Sequence, residues 1–157
     1  MRIGTGYDLH RLEAGLALVL GGVRISHAKG LSGHSDGDAL AHAIIDALLG
    51  AAALGNIGRL FPDTDPQHEG ADSLDLLARA GAHVMKNGYS IVNIDATIIA
   101  QEPTLDPHLD EMRENLARCL KISADRISVK AKTNEGLGPE GRGEAISVHA
   151  AALLEDA

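Results

Sequence analysis

The sequence predicts an α/β (α+β) fold, a single domain in which a mixed β-sheet is covered on one face by helices. Two observations predict it. Residues 89–100 and 144–154 alternate apolar and polar side chains as half-buried strands do, while 33–54, 72–86 and 106–120 repeat apolar residues at helical spacing. These strands and helices interleave along the chain, the arrangement of a sheet with helices laid against it. With 157 residues the chain can bury about 70% of its unfolded surface in one core. No linker, repeat or low-complexity stretch divides it, so residues 1–157 are expected to form one domain.

Each element has a local reason. Residues 2–7 read as a short strand ending in Asp8-Leu9-His10. Residues two apart on an extended chain share a face, so Asp8 and His10 point the same way. Residues 16–25 are strand-like around a Gly21-Gly22 turn or bulge, and 26–32 read as loop. An amphipathic helix follows, capped by Ser35 or Asp36, with Asp38 in its first turn and Leu40, Ile44, Ala47, Leu48 and Ala51 as its core stripe. It should stop near Leu54-Gly55, and residues 56–66, with two Pro and two Asp, are too broken for an element.

Asp72 caps the next helix, whose apolar side is Leu74, Leu77, Ala78, Gly81, Val84 and Met85, and Asn87-Gly88 ends it. In the strand at 89–100, Val92, Ile94, Ala96, Ile98 and Ala100 face one way and Asn93, Asp95 and Thr97 the other. Asp106-Pro107 is an N-cap with Pro at the first helical position, opening a helix with the stripe Leu109, Met112, Leu116 and Leu120. Residues 123–126 connect it to a strand at 127–132, and 133–143 form a Gly-rich loop. The last strand alternates through Ile146, Val148, Ala150, Ala152 and Leu154. The opposite sheet face carries Ser147, Asn93 and Thr97, so it should meet water or another subunit.

Composition excludes several function classes. A formal net charge of −8 argues against a nucleic-acid backbone or an anionic membrane as partner, so a negatively charged substrate must rely on local donors or metals. The only aromatic residues are Tyr7, Phe61 and Tyr89, which makes the core aliphatic. The single cysteine, Cys119, forms no internal disulfide and reads as a small core residue. No apolar run approaches the roughly 20 residues of a membrane span, and MRIGTGYDLH contains no hydrophobic signal region. A cytoplasmic location is expected.

Three groups of residues can carry chemistry. Asp8, His10 and His42 are ligands of the kinds that zinc accepts at about 2.0–2.2 Å, with a fourth tetrahedral position left for substrate or water. Spacing alone leaves open that Asp8 caps a turn and His42 is a satisfied helix histidine. His34-Ser35 precedes a helix whose free N–H groups favour an anion, although Ser35 could equally be an N-cap. Asp38, His42 and Asp46 are each four residues apart and share a line on that helix, so Asp46 can orient an imidazole or a water, or be a solvated carboxylate. The loop KTNEGLGPEGR, residues 132–142, combines hydroxyl, carboxylate and guanidinium with glycines that admit a close ligand; it also reads as a flexible turn.

GYDLHRL from Gly6, GHSDGDALAHAIIDALLGAAALGNIGRLFPDTDP from Gly33, IDATIIAQEP from Ile94 and VKAKTNEGLGPEGRGEAI from Val129 resemble the 2-C-methyl-D-erythritol 2,4-cyclodiphosphate synthase family. The resemblance spans essentially the whole chain, in order. It implies a phosphorus–oxygen lyase of the non-mevalonate route to isoprenoid precursors. In that reaction the 2-phosphate of 4-diphosphocytidyl-2-C-methyl-D-erythritol 2-phosphate attacks the β-phosphorus, giving a cyclic diphosphate and CMP. It also implies a homotrimer with sites at subunit interfaces, the sheets packing around the axis.

By the same resemblance, Asp8, His10 and His42 hold Zn2+, and Glu135 holds Mg2+ or Mn2+ together with the substrate phosphates. His34 and Thr133 act on the phosphates, with Ser35 beside His34. The erythritol meets Asn56, Ile57 and Gly58, bordered by Phe61, Pro62, Asp63, Thr64 and Asp65. The cytidine lies at Ala100, Gln101, Glu102, Pro103, Thr104, Leu105 and Asp106, and at Lys132, Thr133, Asn134 and Glu135. Pro139 and Arg142 border the central trimer cavity. The chain departs from the family pattern at Asn56, where aspartate is frequent, at Lys132 and Asn134 in place of threonines, at Pro139 in place of an aromatic residue, and at Tyr7 in place of phenylalanine. A zinc-dependent phosphohydrolase is the alternative, since the same ligands can activate water. A structural zinc site is disfavoured because such sites are rich in cysteine.

Overall fold

The structure is a computed structural model and describes residues 1–62, 64–65 and 70–157. In chain order its elements are β1 (Arg2–Ala14), β2 (Leu18–Leu20), β3 (Val23–Ile25), β4 (Lys29–Leu31), α1 (Ala39–Ala51), α2 (Ile57–Leu60), α3 (Ser73–Lys86), β5 (Tyr89–Ile99), α4 (Leu109–Leu120), β6 (Ile127–Lys132), α5 (Gly138–Gly141) and β7 (Ala145–Asp156). Five strands form one mixed sheet in the order β4-β1-β7-β5-β6, in which only β5 and β6 run parallel. Helices α1, α3 and α4 lie on one face, and β2 and β3 form a separate hairpin. Gly21 and Gly22, with φ of +56° and +71°, make its two-residue turn, as the sequence indicated.

β1 is 13 residues long, far beyond the segment at 2–7. It pairs antiparallel with β7 from Arg2 opposite Leu154 to Arg11 opposite Ala145, so Asp8 and His10 sit within a strand and not after its end. Its outward residues Ile3, Tyr7 and Leu9 are apolar yet 73%, 52% and 41% exposed in the single chain, so apolar and polar side chains do not alternate along it. Residues 29–31, read as loop, form β4 by pairing with β1.

The helix α1 departs most from expectation. Burial is nearly complete on every side, His42 and Asp38 included, where an amphipathic helix was expected. The reason is its place in the layers: β1 and β7 lie under one side and α3 over the other. Gly4 and Gly6 of β1 allow the approach, since a Cβ at either would fall 2.1 Å from the Ala47 carbonyl oxygen or 1.8 Å from that of Ala43. The cap is Asp38, neither Ser35 nor Asp36; its carboxylate accepts Ala41 N–H at 3.1 Å and the turn amides of Gly21 and Gly22 at 2.9 and 2.8 Å. The helix ends at Ala51, with left-handed Ala53 at φ +58°, short of Gly55.

Smaller corrections have equally local causes. Residues 56–66 do contain an element, the single turn α2, because the Asn56 side chain accepts Arg59 N–H at 3.0 Å. The buried face of α3 runs through Leu76, Leu77, Ala80, Gly81 and Val84, leaving Met85 exposed. A bulge between Ile91 and Asn93 puts Ile91 in the core in place of Val92. Asp106 starts a 3-10 turn, Asp106–His108, ahead of α4 and caps nothing with its side chain. The loop at 133–143 contains the turn α5, and Ser147, expected at an open face, is buried under it with its hydroxyl donating to Glu140 at 2.7 Å. Cys119 is half-buried; burial pushes its thiol up to about 11, and its Sγ donates to the Leu74 carbonyl.

Candidate functional site

Neighbouring elements bring Asp8, His10 and His42 together. Asp8 and His10 project from the same side of β1, and α1, seated on the glycines of that strand, delivers His42. Asp8 Oδ2 lies 2.9 Å from His10 Nδ1 and 3.2 Å from His42 Nδ1. The His10 ring also rests against Gly33, where a Cβ would fall 2.9 Å from Cδ2 and Nε2. These three residues line a cleft of ≈ 250 Å³ together with His34, Ser35, Ile57, Gly58, Phe61 and Leu76.

The electrostatics follow from that convergence. Burial alone would raise the Asp8 carboxyl, but the close contact and charge of His10, with the hydrogen bond and charge of His42, outweigh it and hold the group at about 2. For His42, burial would lower the imidazole; the hydrogen bond and charge of Asp8, with the charges of Asp38 and Asp36, raise it instead. Asp46 lines up after His42 as expected, but the hydrogen bond it makes is from Ile57 N–H at 2.7 Å, so it fixes the turn after Asn56 and not an imidazole. Burial foremost, then the nearby Asp8 charge, raises its carboxyl against that bond.

The donor set fits a divalent cation. One ligand atom from each of Asp8, His10 and His42 lies within 4.8 Å of the others, and a tetrahedron with arms of about 2.0–2.1 Å has edges of about 3.3 Å. The 2.9 and 3.2 Å separations are close to those edges. His10 Nδ1 is buried and, although near Asp8, is not aligned for a hydrogen bond with any described residue. A buried ring nitrogen left in that state is what a metal ligand requires.

A second cleft, ≈ 160 Å³, gathers Ala100, Gln101, Pro103, Thr104, Leu105 and Asp106 with Ala131, Lys132 and Thr133. Glu102 is exposed on the same loop, joined to Pro103 by a cis peptide bond. Gln101 Oε1 accepts Gly136 N–H at 3.1 Å, tying the loop of Asn134 and Glu135 to the rim, where Glu135 is exposed at φ +52°. The two clefts have no lining residue in common, so Glu135 and Thr133 are not gathered with Asp8 within one chain. Pro139 stands in the first turn of α5, and exposed Arg142 pairs with Glu144 at 2.9 Å. Pro62 and Thr64 are exposed and Asp65 half-buried near the first cleft's Phe61; Asp63 lies outside the described residues.

Comparison with known proteins follows the same outline. The YgbB family model matches residues 1–155. The chain belongs to the YgbB family. A 2-C-methyl-D-erythritol 2,4-cyclodiphosphate synthase from Clostridium perfringens is 59% identical to this YgbB-family chain over 154 residues, 98% of this chain and 99% of its relative. A solved 2C-methyl-D-erythritol-2,4-cyclodiphosphate synthase in a CDP-bound form superposes with a TM-score of 0.90 at 40% identity, covering 98% of this chain and 100% of that one. The bifunctional IspDF from Campylobacter jejuni gives 0.96 at 42% identity; it covers 99% of this chain, which spans 42% of that longer one.

Sequence reasoning passed over three residues of this YgbB-family site. Asp36 was read as a possible cap of α1, yet it accepts from Ser73 at the start of α3. Ser73 is wholly buried, with its hydroxyl 2.8 Å from His42 Nε2. Leu76, one turn further, closes the cleft wall. A buried serine directly after a capping aspartate was the one local signal, and the pairing itself arises only where two distant loops meet.

Proposed function

We propose that this chain is a 2-C-methyl-D-erythritol 2,4-cyclodiphosphate synthase that closes 4-diphosphocytidyl-2-C-methyl-D-erythritol 2-phosphate into its cyclic diphosphate with release of CMP. The observation that carries the reading is the meeting of Asp8, His10 and His42 in one cleft with His34 and Ser35, a cation site beside hydrogen-bond donors. Residues 1–157 act as one catalytic domain, and the enzyme works in the cytoplasm. Among the described residues no helix is long and apolar enough to cross a membrane.

Asp8, His10 and His42 would hold Zn2+, which when bound would supply a Lewis acid toward the β-phosphate. Glu135 would hold Mg2+ or Mn2+, its oxygen ligand being suited to a hard ion that would supply charge neutralisation to the diphosphate. His34 and Ser35 donate to the phosphate oxygens, and Thr133 holds the diphosphate from the other cleft. Through the Ile57 amide, Asp46 keeps the turn of Ile57 and Gly58 in place for the erythritol, while Asn56 is spent on capping α2. Cytidine occupies the cleft of Ala100–Asp106 and Lys132. An ionised 2-phosphate oxygen forms its bond to the β-phosphorus as the bond from that phosphorus to the bridging oxygen breaks, and CMP leaves with that oxygen. Because the nucleophile is already ionised, positioning and charge neutralisation do the catalytic work.

The separation of the two clefts supports a homotrimer in which one protomer's second cleft faces its partner's first. The exposed Ile3, Tyr7 and Leu9 give that assembly an apolar sheet face. The test is product identification by 31P NMR and mass spectrometry with the purified protein. Equal amounts of CMP and cyclic diphosphate, abolished by chelator and restored by zinc with magnesium, are expected. A linear phosphate product would make the protein a phosphohydrolase, and no turnover with both metals present would overturn the reading. Sedimentation of a fully active monomer would remove the interface claim.

A further inference from the structure

The imidazole of His42 is held at both ends. Nδ1 faces Asp8 Oδ2 at 3.2 Å, and Nε2 faces Ser73 Oγ at 2.8 Å. Ser73 is wholly buried at the first position of α3, and the polarity of its contact with the ring is set on its far side. There its hydroxyl donates to Asp36 Oδ1, while its backbone N–H donates to Asp36 Oδ2 at 3.1 Å. A carboxylate only accepts, and a serine hydroxyl has one hydrogen. With that hydrogen given to Asp36, Ser73 presents only lone pairs to His42. Nε2 must then carry a proton. Asp8 Oδ2 is likewise only an acceptor, so in the metal-free chain Nδ1 donates to Asp8, and that Nδ1 proton is the one a metal would displace.

We propose that Ser73 and Asp36 are positioning residues that keep Nε2 of His42 protonated, so that Nδ1, turned to the point where Asp8 and His10 converge, is the nitrogen given up to a metal, and that they thereby set the metal affinity of the site. The inference rests on the reading of Asp8, His10 and His42 as the metal centre. The relay is braced by backbone, because Asp36 N–H donates to the Ala71 carbonyl at 3.3 Å and Gly70 N–H to that of His34 at 3.0 Å. The loop that carries His34 and Ser35 is thereby tied to the start of α3.

The same relay decides what Ser35 can give. Ser35 Oγ lies 3.1 Å from His42 Nε2 and 3.2 Å from Ser73 Oγ. A ring nitrogen that already bears hydrogen takes none from Ser35, so that hydrogen is left to be shared between Ser73 Oγ and a phosphate oxygen in the cleft that Ser35 lines. Without its proton, Nε2 would draw the Ser35 hydrogen inward. One buried serine therefore prepares both the metal ligand and the phosphate donor beside it.

The test reads the tautomer and the metal, not turnover. Long-range 15N–1H correlation spectra of the zinc-loaded protein should show a proton on Nε2 of His42, with Nδ1 the ligating nitrogen. Asp36→Ala frees the Ser73 hydrogen to donate to Nε2 and should weaken zinc. Ser73→Ala should weaken zinc, measured by chelator competition, by roughly 10–100-fold, the range found when a partner of a ligating histidine is removed. Ser73→Thr, which keeps the hydroxyl, should restore it. A His42 that ligates zinc through Nε2 in the wild-type protein overturns the proposal even if no variant folds, and so does a folded Ser73→Ala protein with unchanged zinc affinity. Should the wild-type protein bind zinc yet form no cyclic product, the functional reading fails while the tautomer result stands.

Discussion

Gly6→Ala tests how the fold sets the spacing of the metal ligands. A Cβ at position 6 would fall 1.8 Å from the Ala43 carbonyl oxygen and 2.8 Å from Ala47 N, both backbone atoms that no side-chain rotation can clear. Reaching about 3.0 Å, near the shortest separation real Cβ atoms show, requires α1 and β1 to part by about 1.2 Å. Ala43 is the neighbour of His42, and Asp8 follows Gly6 by two residues, so the displacement falls on the 3.2 Å contact between Asp8 Oδ2 and His42 Nδ1. Metal constellations tolerate about 0.5 Å. The expected outcome is a loss of about 3 kcal/mol, the upper end for overpacking, read as a melting temperature lower by about 6–12 °C. Zinc affinity should fall at least about tenfold, equivalent to 1.4 kcal/mol. Gly50→Ala is the control on the same helix. Its Cβ would meet Thr5 O at an ordinary 3.8 Å, so it should keep zinc and gain up to about 1 kcal/mol. Gly6→Ala protein that melts within about 2 °C of wild type and holds zinc as tightly would refute the link between glycine packing and ligand spacing.

Zinc affinity should rise as pH rises through the His42 pKa, which lies above the ordinary 6.5, because binding displaces a proton from a His42 whose affinity for it is raised in the apoprotein. For the metal-free fold the sign is opposite: protonated His42 stabilises it below its unfolded pKa, and that stability is lost as pH rises through the higher folded value. Asp8, held at about 2, adds stability that persists above its ordinary 3.8 and is lost only as pH falls through about 2. A pH-independent zinc constant would contradict the assignment of His42 as ligand. Asp38→Ala strands the three amides its carboxylate accepts and should cost about 3 kcal/mol or more in urea unfolding, with Asp38→Asn milder because its carbonyl still accepts. An unchanged midpoint would show the cap to be dispensable. Glu135→Gln should raise the magnesium requirement of turnover about tenfold with zinc content unchanged by elemental analysis; equal loss of both metals would argue against separate sites.

Much of this architecture was legible in local pattern, and what was not has a spatial cause. Asp8 and His10 could be placed on one face because a strand's period of two needs no tertiary information, and Asp72 and Asn87-Gly88 bounded α3 through their own chemistry. The burial of α1 was not legible. Its polar line of Asp38, His42 and Asp46 looks solvated in sequence, but each is satisfied internally, by the Gly21-Gly22 turn, by Asp8 and Ser73, and by Ile57 N–H. The turns α2 and α5 were too short for periodicity to register; α2 rests on the Asn56 side chain, which the resemblance assigned to the erythritol, and α5 is tied to β7 by Glu140 accepting from Ser147. The pairing of Asp36 with Ser73 joins residues far apart in sequence, and no local pattern encodes it.

Charge around His42 explains why, on the proposed function, a chain of net charge −8 would serve a substrate with three phosphates through cations. Asp8, Asp36 and Asp38 all act on His42, and Asp8 also raises the carboxyl of Asp46. This potential is negative and attracts cations; alone it would repel a diphosphate. His10 and His42 are neutral when they ligate, so the protein contributes one carboxylate to a doubly charged ion and the centre keeps a net positive charge. Bound cations are the largest local charges in such a site and reverse its sign. The same aspartates that draw the ion in are held back from the phosphates: Asp38 by the Gly21-Gly22 turn, Asp36 by Ser73 and Asp46 by Ile57. Of the four, only Asp8 lines the cleft, and it stands there with His10 and His42 in the group that could hold the ion.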